Sequence, residues 1–211
     1  MIIHAENLTI LRGQRTIIKG LSLIAKSGEP LLLTGPNGAG KTTLIRTLAG
    51  FLAPEAGRIV LEGGNPERST GEQCHYVGHL SGIKASLTAL ENLSFWAEYL
   101  AGDTPASVRR DAVETALMQF HLEPLADIPA GLLSAGQKRR LGLARLLVAS
   151  RPVWLLDEPT VSLDVASTDM LSRLIGEHLR GAGIVIAATH LPLGLEGATY
   201  LRLGGGTAEE L

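Results

Sequence analysis

One stretch constrains this chain more than any other: Leu31–Thr43, LLLTGPNGAGKTT. The apolar run Leu31–Leu33 reads as a short buried strand. It leads into Gly35, Pro36, Asn37, Gly38, Ala39, Gly40, Lys41, Thr42 and Thr43, then into an apolar-periodic helix ending near Ala49. A strand, a glycine loop, a Lys-Thr pair and a helix, in that order, form a phosphate-binding loop. The glycines let backbone N–H groups turn inward onto phosphate oxygens. The helix N-terminus adds partial positive charge at the same spot. Lys41 supplies a point charge for the β- and γ-phosphates of a nucleoside triphosphate, and the Thr42 hydroxyl suits Mg²⁺.

The 211 residues suffice for one domain with a full core, or a core plus a small subdomain. A formal net charge of −2 gives no basic balance for bulk nucleic-acid binding. With a single cysteine, Cys74, no intramolecular disulfide is possible; a reducing compartment and an inert buried thiol are expected. No run approaches the roughly 18 apolar residues of a membrane span. The start, MIIHAENLTI, lacks the basic and apolar regions of a signal peptide. Any membrane association is therefore expected to come through a partner.

Residues 2–10 and 16–25 read as strands separated by a turn at Arg12-Gly13-Gln14, with further strands at 58–62 and 74–78. From about Gly82 the pattern becomes helical. Thr88 to Glu91 is a capping box opening a helix with Leu90, Leu93, Trp96, Ala97 and Leu100 on one stripe. Pro105 stands at the first position of the next helix, whose stripe is Val108, Ala112, Val113, Ala116, Leu117 and Phe120. A second capping-box pattern, Ser134 to Gln137, opens a third helix to about Ala149. Residues of about 82–150 thus read as a helical subdomain inserted in an α/β core of about 1–81 and 151–211. Strands at 153–156, 183–189 and 200–203 and a helix at 165–180 complete a largely parallel, helix-flanked sheet. Such sheets bind ligands at the carboxyl ends of their strands, where the phosphate loop, Asp157-Glu158 and His190 all fall. The tail from Gly204 is expected to fray.

Two further stretches narrow the class. They are Leu133-Ser134-Ala135-Gly136-Gln137, followed by Lys138-Arg139-Arg140, and Val153-Trp154-Leu155-Leu156-Asp157-Glu158-Pro159, followed by Ser162-Leu163-Asp164 and His190. In this order the motifs resemble those of the ATP-binding-cassette ATPases along essentially the whole chain. The resemblance implies an α/β phosphate-loop core, with N-terminal antiparallel strands and the helical insertion, using ATP and Mg²⁺. It implies that Ser134, Gly136 and Gln137 open a helix facing the ATP of a second copy, so that ATP closes a homodimer. It also implies Asp157 as a water-mediated Mg²⁺ ligand and Glu158 as the group that polarises the attacking water. His190 would bond the γ-phosphate and fix Glu158, and Asp164 would touch the opposite copy.

Two positions depart from the family pattern. Arg12 stands where members usually carry an aromatic that stacks on adenine; a guanidinium can stack too, or Arg12 is a solvated turn residue. His79 stands where members usually carry a glutamine sensing Mg²⁺ and the γ-phosphate; it either takes that role or faces solvent. The stretch GHLSGIKASLTALENLSF, with LSAGQKRR, looks like the ATP-binding subunits of the bacterial haem exporters of cytochrome c maturation. That implies a peripheral subunit on the cytoplasmic face of the inner membrane. Its membrane partner would be cytochrome c maturation protein B, with haem-handling proteins C, D and E nearby. Trp96 and Tyr99 are candidate anchors for the membrane partner, Tyr99 the better because it lies off the apolar stripe. Haem itself is not expected to bind, since Cys74-His75 lacks the C-x-x-C-H pattern. The alternatives are another small exporter or a soluble cassette ATPase.

Overall fold

The N-terminal strands alternate buried and exposed residues, as a sheet with one face in water requires. In the computed structural model, β1 (Ile2–Arg12) pairs antiparallel with β2 (Arg15–Lys26) and with β4 (Ala56–Glu62), forming a three-stranded sheet of order β2-β1-β4. The structure describes residues 1–79, 82–189 and 193–204, and the backbone of Glu209–Glu210.

The second sheet is built from continuous apolar runs, which mark strands covered on both faces. Its order is β5 (Cys74–Val77), β6 (Val153–Asp157), β7 (Ile184–Ala188), β3 (Pro30–Thr34), β8 (Thr199–Arg202) and β9 (Glu209–Glu210). β5 to β8 are mutually parallel, and β9 closes the edge antiparallel to β8. The expected frayed tail is therefore corrected at 209–210, where ladder bonding to β8 holds the backbone.

One face of this sheet supplies Leu31, Leu33, Val153, Leu155, Ile184 and Ile186 to a core completed by the antiparallel sheet and helix α1 (Lys41–Leu48). Period-two alternation turns Trp154, Leu156 and Val185 to the other face. There His178, near the end of helix α5 (Val165–Arg180), stacks on Trp154 with ring centroids 4.1 Å apart.

The chain divides into two compact units. The first is 1–78, 151–159 and 172–211 and holds both sheets and α1. The second is 79–150 with 160–171. It contains α2 (Ala89–Ala101), α3 (Ala106–Gln119) and α4 (Ala135–Ala144).

Both expected capping boxes form. Thr88 and Glu91 exchange side-chain and backbone bonds at the start of α2, as do Ser134 and Gln137 at the start of α4. Three helical details differ from the sequence pattern. Pro105 is the N-cap of α3, its ψ of 144° lying outside the helix, so Ala106 is the first helical residue. Val108 is 52% exposed: five positions before Val113, it lies about 140° round the helix from that residue and off the stripe. α4 stops at Ala144 because Leu146 and Leu147 bond back to Leu143 and Ala144, three residues away, which tightens the chain into turns.

Candidate functional site

β3 delivers the chain into the glycine loop at a crowded point. Gly35 has φ +128°, and a Cβ there would lie 2.1 Å from the Leu203 carbonyl oxygen, so only glycine fits. Gly40 has φ +102°, and its missing Cβ would lie 2.9 Å from Ile17 Cγ2 of β2. The loop is thus clamped at one end by Leu203, the residue after β8, and at the other by the N-terminal hairpin. Between them, Gly38 has φ +82° and open space where a Cβ would stand. Pro36, Asn37 and Gly38 are exposed.

The buried Lys41 folds back over the loop, and its Nζ donates to the carbonyl oxygens of Gly35 at 2.7 Å and Pro36 at 3.2 Å. The Thr42 hydroxyl donates to Asp157 Oδ1 at 3.0 Å. Those two residues are 115 apart in sequence and meet because β3 and β6 flank β7 and all three end on the same side. The neighbouring Thr43 is buried in α1. Asp157 is 3% exposed, opposite Ala188 in the parallel ladder.

Glu158 follows with φ +49°, a left-handed backbone that non-glycine residues seldom adopt. Its N–H donates to Ala188 O at 2.8 Å, which holds the turn. Strain of this kind persists where surrounding structure over-determines it, as at functional sites. His190 lies outside the described residues.

In the second unit, Ser134 is exposed at the N-terminus of α4. Its Oγ accepts from Gln137 N at 3.2 Å while its own N–H donates to Gln137 Oε1 at 2.8 Å. Helix geometry leaves the N–H groups of Ala135 and Gly136 without intrahelical acceptors. A Cβ on Gly136 would stand 3.1 Å from the Ser162 carbonyl oxygen, and Ser162 has φ +67°. Asp164 caps α5, its Oδ1 accepting from Ser167 N at 2.8 Å. The bonds from Ser167, and behind them the charge of Arg140, lower its carboxyl pKa. His79 is exposed at the start of this unit, and Arg12 is exposed at the end of β1.

The family model described as ABC transporter matches residues 18–161. The chain belongs to the ABC transporter family. As such it is an ATP-binding ATPase. Among its relatives is the cytochrome c biogenesis ATP-binding export protein CcmA of Nitrobacter winogradskyi, 48% identical over 97% of this chain and 99% of that one. The proteins of the same name from Nitrobacter hamburgensis and Agrobacterium fabrum are 51% and 48% identical, over 98% and 97% of this chain and 100% and 96% of theirs. Among solved structures, an ATP-binding subunit of an ABC transporter matches with a TM-score of 0.87 at 20% identity, covering 100% of this chain and 90% of that one. The ADP form of another such ATP-binding cassette matches at 0.79 and 22% identity, over 99% and 89%. These two establish the ABC ATPase fold, as the motif order predicts.

Three features of the site escape sequence reasoning. Asp164 is a helix cap, which its position three residues before Ser167 could have signalled. The left-handed backbone of Glu158 and Ser162 carries no local glycine signal. Thr160 Oγ1 is buried and, among the described residues, has no hydrogen-bond partner.

Proposed function

We propose that this chain is the ATP-hydrolysing subunit of an exporter serving cytochrome c biogenesis, and that haem export, or release of a haem-loaded chaperone, is the work it powers. The observation that carries this reading is near-half identity, along nearly the whole chain, with export proteins of that name. The site geometry supplies the chemistry.

Lys41 is held over the loop carbonyls and needs only to swing its ammonium to reach a phosphate oxygen. The loop N–H groups and the start of α1 bind the anionic phosphates. The Thr42 hydroxyl and Asp157 carboxylate, already converged at 3.0 Å, are hard oxygen donors of the kind Mg²⁺ takes beside substrate phosphates and water. When bound, Mg²⁺ neutralises charge on the phosphoryl oxygens. Glu158, one residue beyond on a fixed turn, orients and polarises the attacking water. Positioning and charge stabilisation then provide most of the acceleration.

The remaining assignments rest on the family resemblance. Ser134, Gly136 and Gln137 cap the ATP of a second copy, His190 bonds the γ-phosphate, and His79 senses it with Mg²⁺. The chain sits peripherally on the cytoplasmic face of the inner membrane against cytochrome c maturation protein B, with proteins C, D and E nearby. Among the described residues no helix is long and apolar enough to cross a membrane. Tyr99, 69% exposed and stacked on the exposed Phe95, is the contact residue for the membrane subunit. Trp96 is engaged within its own unit, its Nε1 donating to Gly82 O at 3.3 Å under the Arg145 guanidinium.

The test is a strain whose only copy carries Lys41→Ala. Its complex with the membrane subunit should assemble, while haem-stained c-type cytochromes disappear. Normal cytochrome c content in that strain would overturn the proposal.

A further inference from the structure

Among the described residues, buried polar side-chain atoms find hydrogen-bond partners, with one exception. Thr47 Oγ1 donates to Thr43 O at 3.0 Å, Gln73 holds the carbonyls of Asn65, Arg68 and Ser69, and Asn92 bonds Lys84, Leu87 and Thr88. The exception is Thr160, 3% exposed, whose Oγ1 is buried and unpaired. Such a group costs its desolvation without return, and marks stored strain, a catalytic role or a bound water.

The backbone around it is strained as well. Glu158 has φ +49°, although the residue before a proline is driven towards extended backbone, and Ser162 has φ +67°. Both ends of the segment are pinned: Glu158 N donates to Ala188 O at 2.8 Å, and Asp164 Oδ1 accepts from Ser167 N at 2.8 Å. Between them Leu163 N donates to Thr160 O at 3.1 Å, closing a turn with Thr160 at its first position. A threonine there can take a second bond, its hydroxyl accepting from the N–H two residues on. That donor is Ser162 N, which has no acceptor among the described residues. Hydroxyl and N–H thus lie two residues apart, and the bond the turn chemistry favours is not made. The Ser162 carbonyl also abuts α4, 3.1 Å from where a Cβ on Gly136 would stand.

We propose that Thr160 is a positioning residue for hydrolysis: when nucleotide binds, its hydroxyl closes onto Ser162 N–H, and the closed turn fixes Glu158 towards the attacking water. This rests on Glu158 being the group that polarises that water. Thr160 touches neither nucleotide nor water. It acts through Pro159, whose ring locks φ at about −65° and so joins Thr160 stiffly to Glu158. The unpaired hydroxyl raises the free energy of the open turn, and the closed turn is favoured by that difference.

The test is thermal unfolding and steady-state ATP hydrolysis of the full chain, comparing wild type, Thr160→Val, Thr160→Ser and Glu158→Gln. Valine keeps the shape of threonine and removes the hydroxyl. Thr160→Val should raise the unfolding midpoint without nucleotide by about 2–4 °C, because no polar atom is then buried unpaired. It should also lower kcat by about tenfold, with KM for ATP within about twofold of wild type. Thr160→Ser, which retains the hydroxyl, should bring kcat back to within about threefold of wild type. In single-turnover assays, adding Thr160→Val to Glu158→Gln should lower the residual rate no further, since Thr160 acts through Glu158. A lowered midpoint in Thr160→Val would show a hydroxyl already paired, and wild-type kcat in that variant would show one with no part in hydrolysis; either overturns the proposal. So does a further loss in the double variant. Glu158→Gln protein that hydrolyses ATP at the wild-type rate would overturn the reading of Glu158, and this proposal with it.

Discussion

Gly35 and Gly38 both have positive φ in the same loop, yet replacing each with alanine should have different consequences. At Gly35 a new Cβ would stand 2.1 Å from the Leu203 carbonyl oxygen and 3.0 Å from its carbonyl carbon. Ordinary contact is about 3.5–4.0 Å, so something must move by more than an ångström. Leu203 cannot yield easily, because its N–H donates to Thr34 O at 2.9 Å and β8 is laddered to β3. Backbone strain costs about 1–3 kcal/mol and forced overpacking about 1–3 kcal/mol more. Gly35→Ala should therefore lose about 2–6 kcal/mol of stability. At Gly38 nothing lies within 4 Å of the Cβ position, so only the left-handed strain remains, about 1–2 kcal/mol. That open space is where a phosphate would approach the backbone, so Gly38→Ala should chiefly weaken ATP binding. Urea unfolding and ATP titration of the two variants separate the effects. Equal loss of stability in both would refute the claim that Leu203 clamps the loop entrance.

Three further outcomes follow from buried or half-buried groups. Asn92, 3% exposed, accepts from Lys84 N and donates to the carbonyls of Lys84, Leu87 and Thr88, so Asn92→Ala should cost about 2–4 kcal/mol in denaturant unfolding. Burial pushes the His178 imidazole pKa down, opposed in part by backbone hydrogen bonding at Pro152 and Ile184. The unfolded chain then takes up that proton first as pH falls through about 6.5, so stability is present above that pH and lost below it. His178→Phe should flatten the unfolding midpoint between pH 7.5 and 5.5, and an unchanged slope would count against it. Burial raises the Cys74 thiol from 9.0 to about 12, so folded protein at pH 8 should resist thiol reagents and react once unfolded. The sign runs the other way here: this contribution to stability is full below pH 9.0 and falls as pH rises towards about 12.

What was legible in the sequence is what local chemistry dictates. The glycine loop, Lys41 and Thr42 follow from the demands of phosphate, and Asp157 ends a run too apolar to be anything but a buried strand. The capping boxes at Thr88 and Ser134 need only four residues each. What the sequence hid depends on distant partners. In the β1–β2 ladder Ile10 pairs with Ile18 and Leu11 with Thr16, so Ile17 is an extra, bulged residue; nothing near it in the sequence marks this, because the register is set by β1. Gly35 looks like any loop glycine until Leu203 is laid beside it. Glu158 adopts a left-handed backbone because β7 holds its N–H, and Val108 is apolar yet exposed because it lies off the stripe that α3 buries. The helical stop at Ala144 is hidden for another reason: the tightening is local, but Leu146 and Val148 are buried and keep the pattern apolar beyond it.

The central claim is that Thr42, Asp157 and Glu158, brought to one end of the parallel sheet, form an ATP-hydrolysing site. Single-turnover hydrolysis of pre-bound ATP by Glu158→Gln tests it most directly. The amide keeps the side-chain shape but cannot accept a proton, so bound nucleotide should remain ATP, with the rate down by about 10²-fold or more and affinity retained. Conversion to ADP at the wild-type rate would contradict the account.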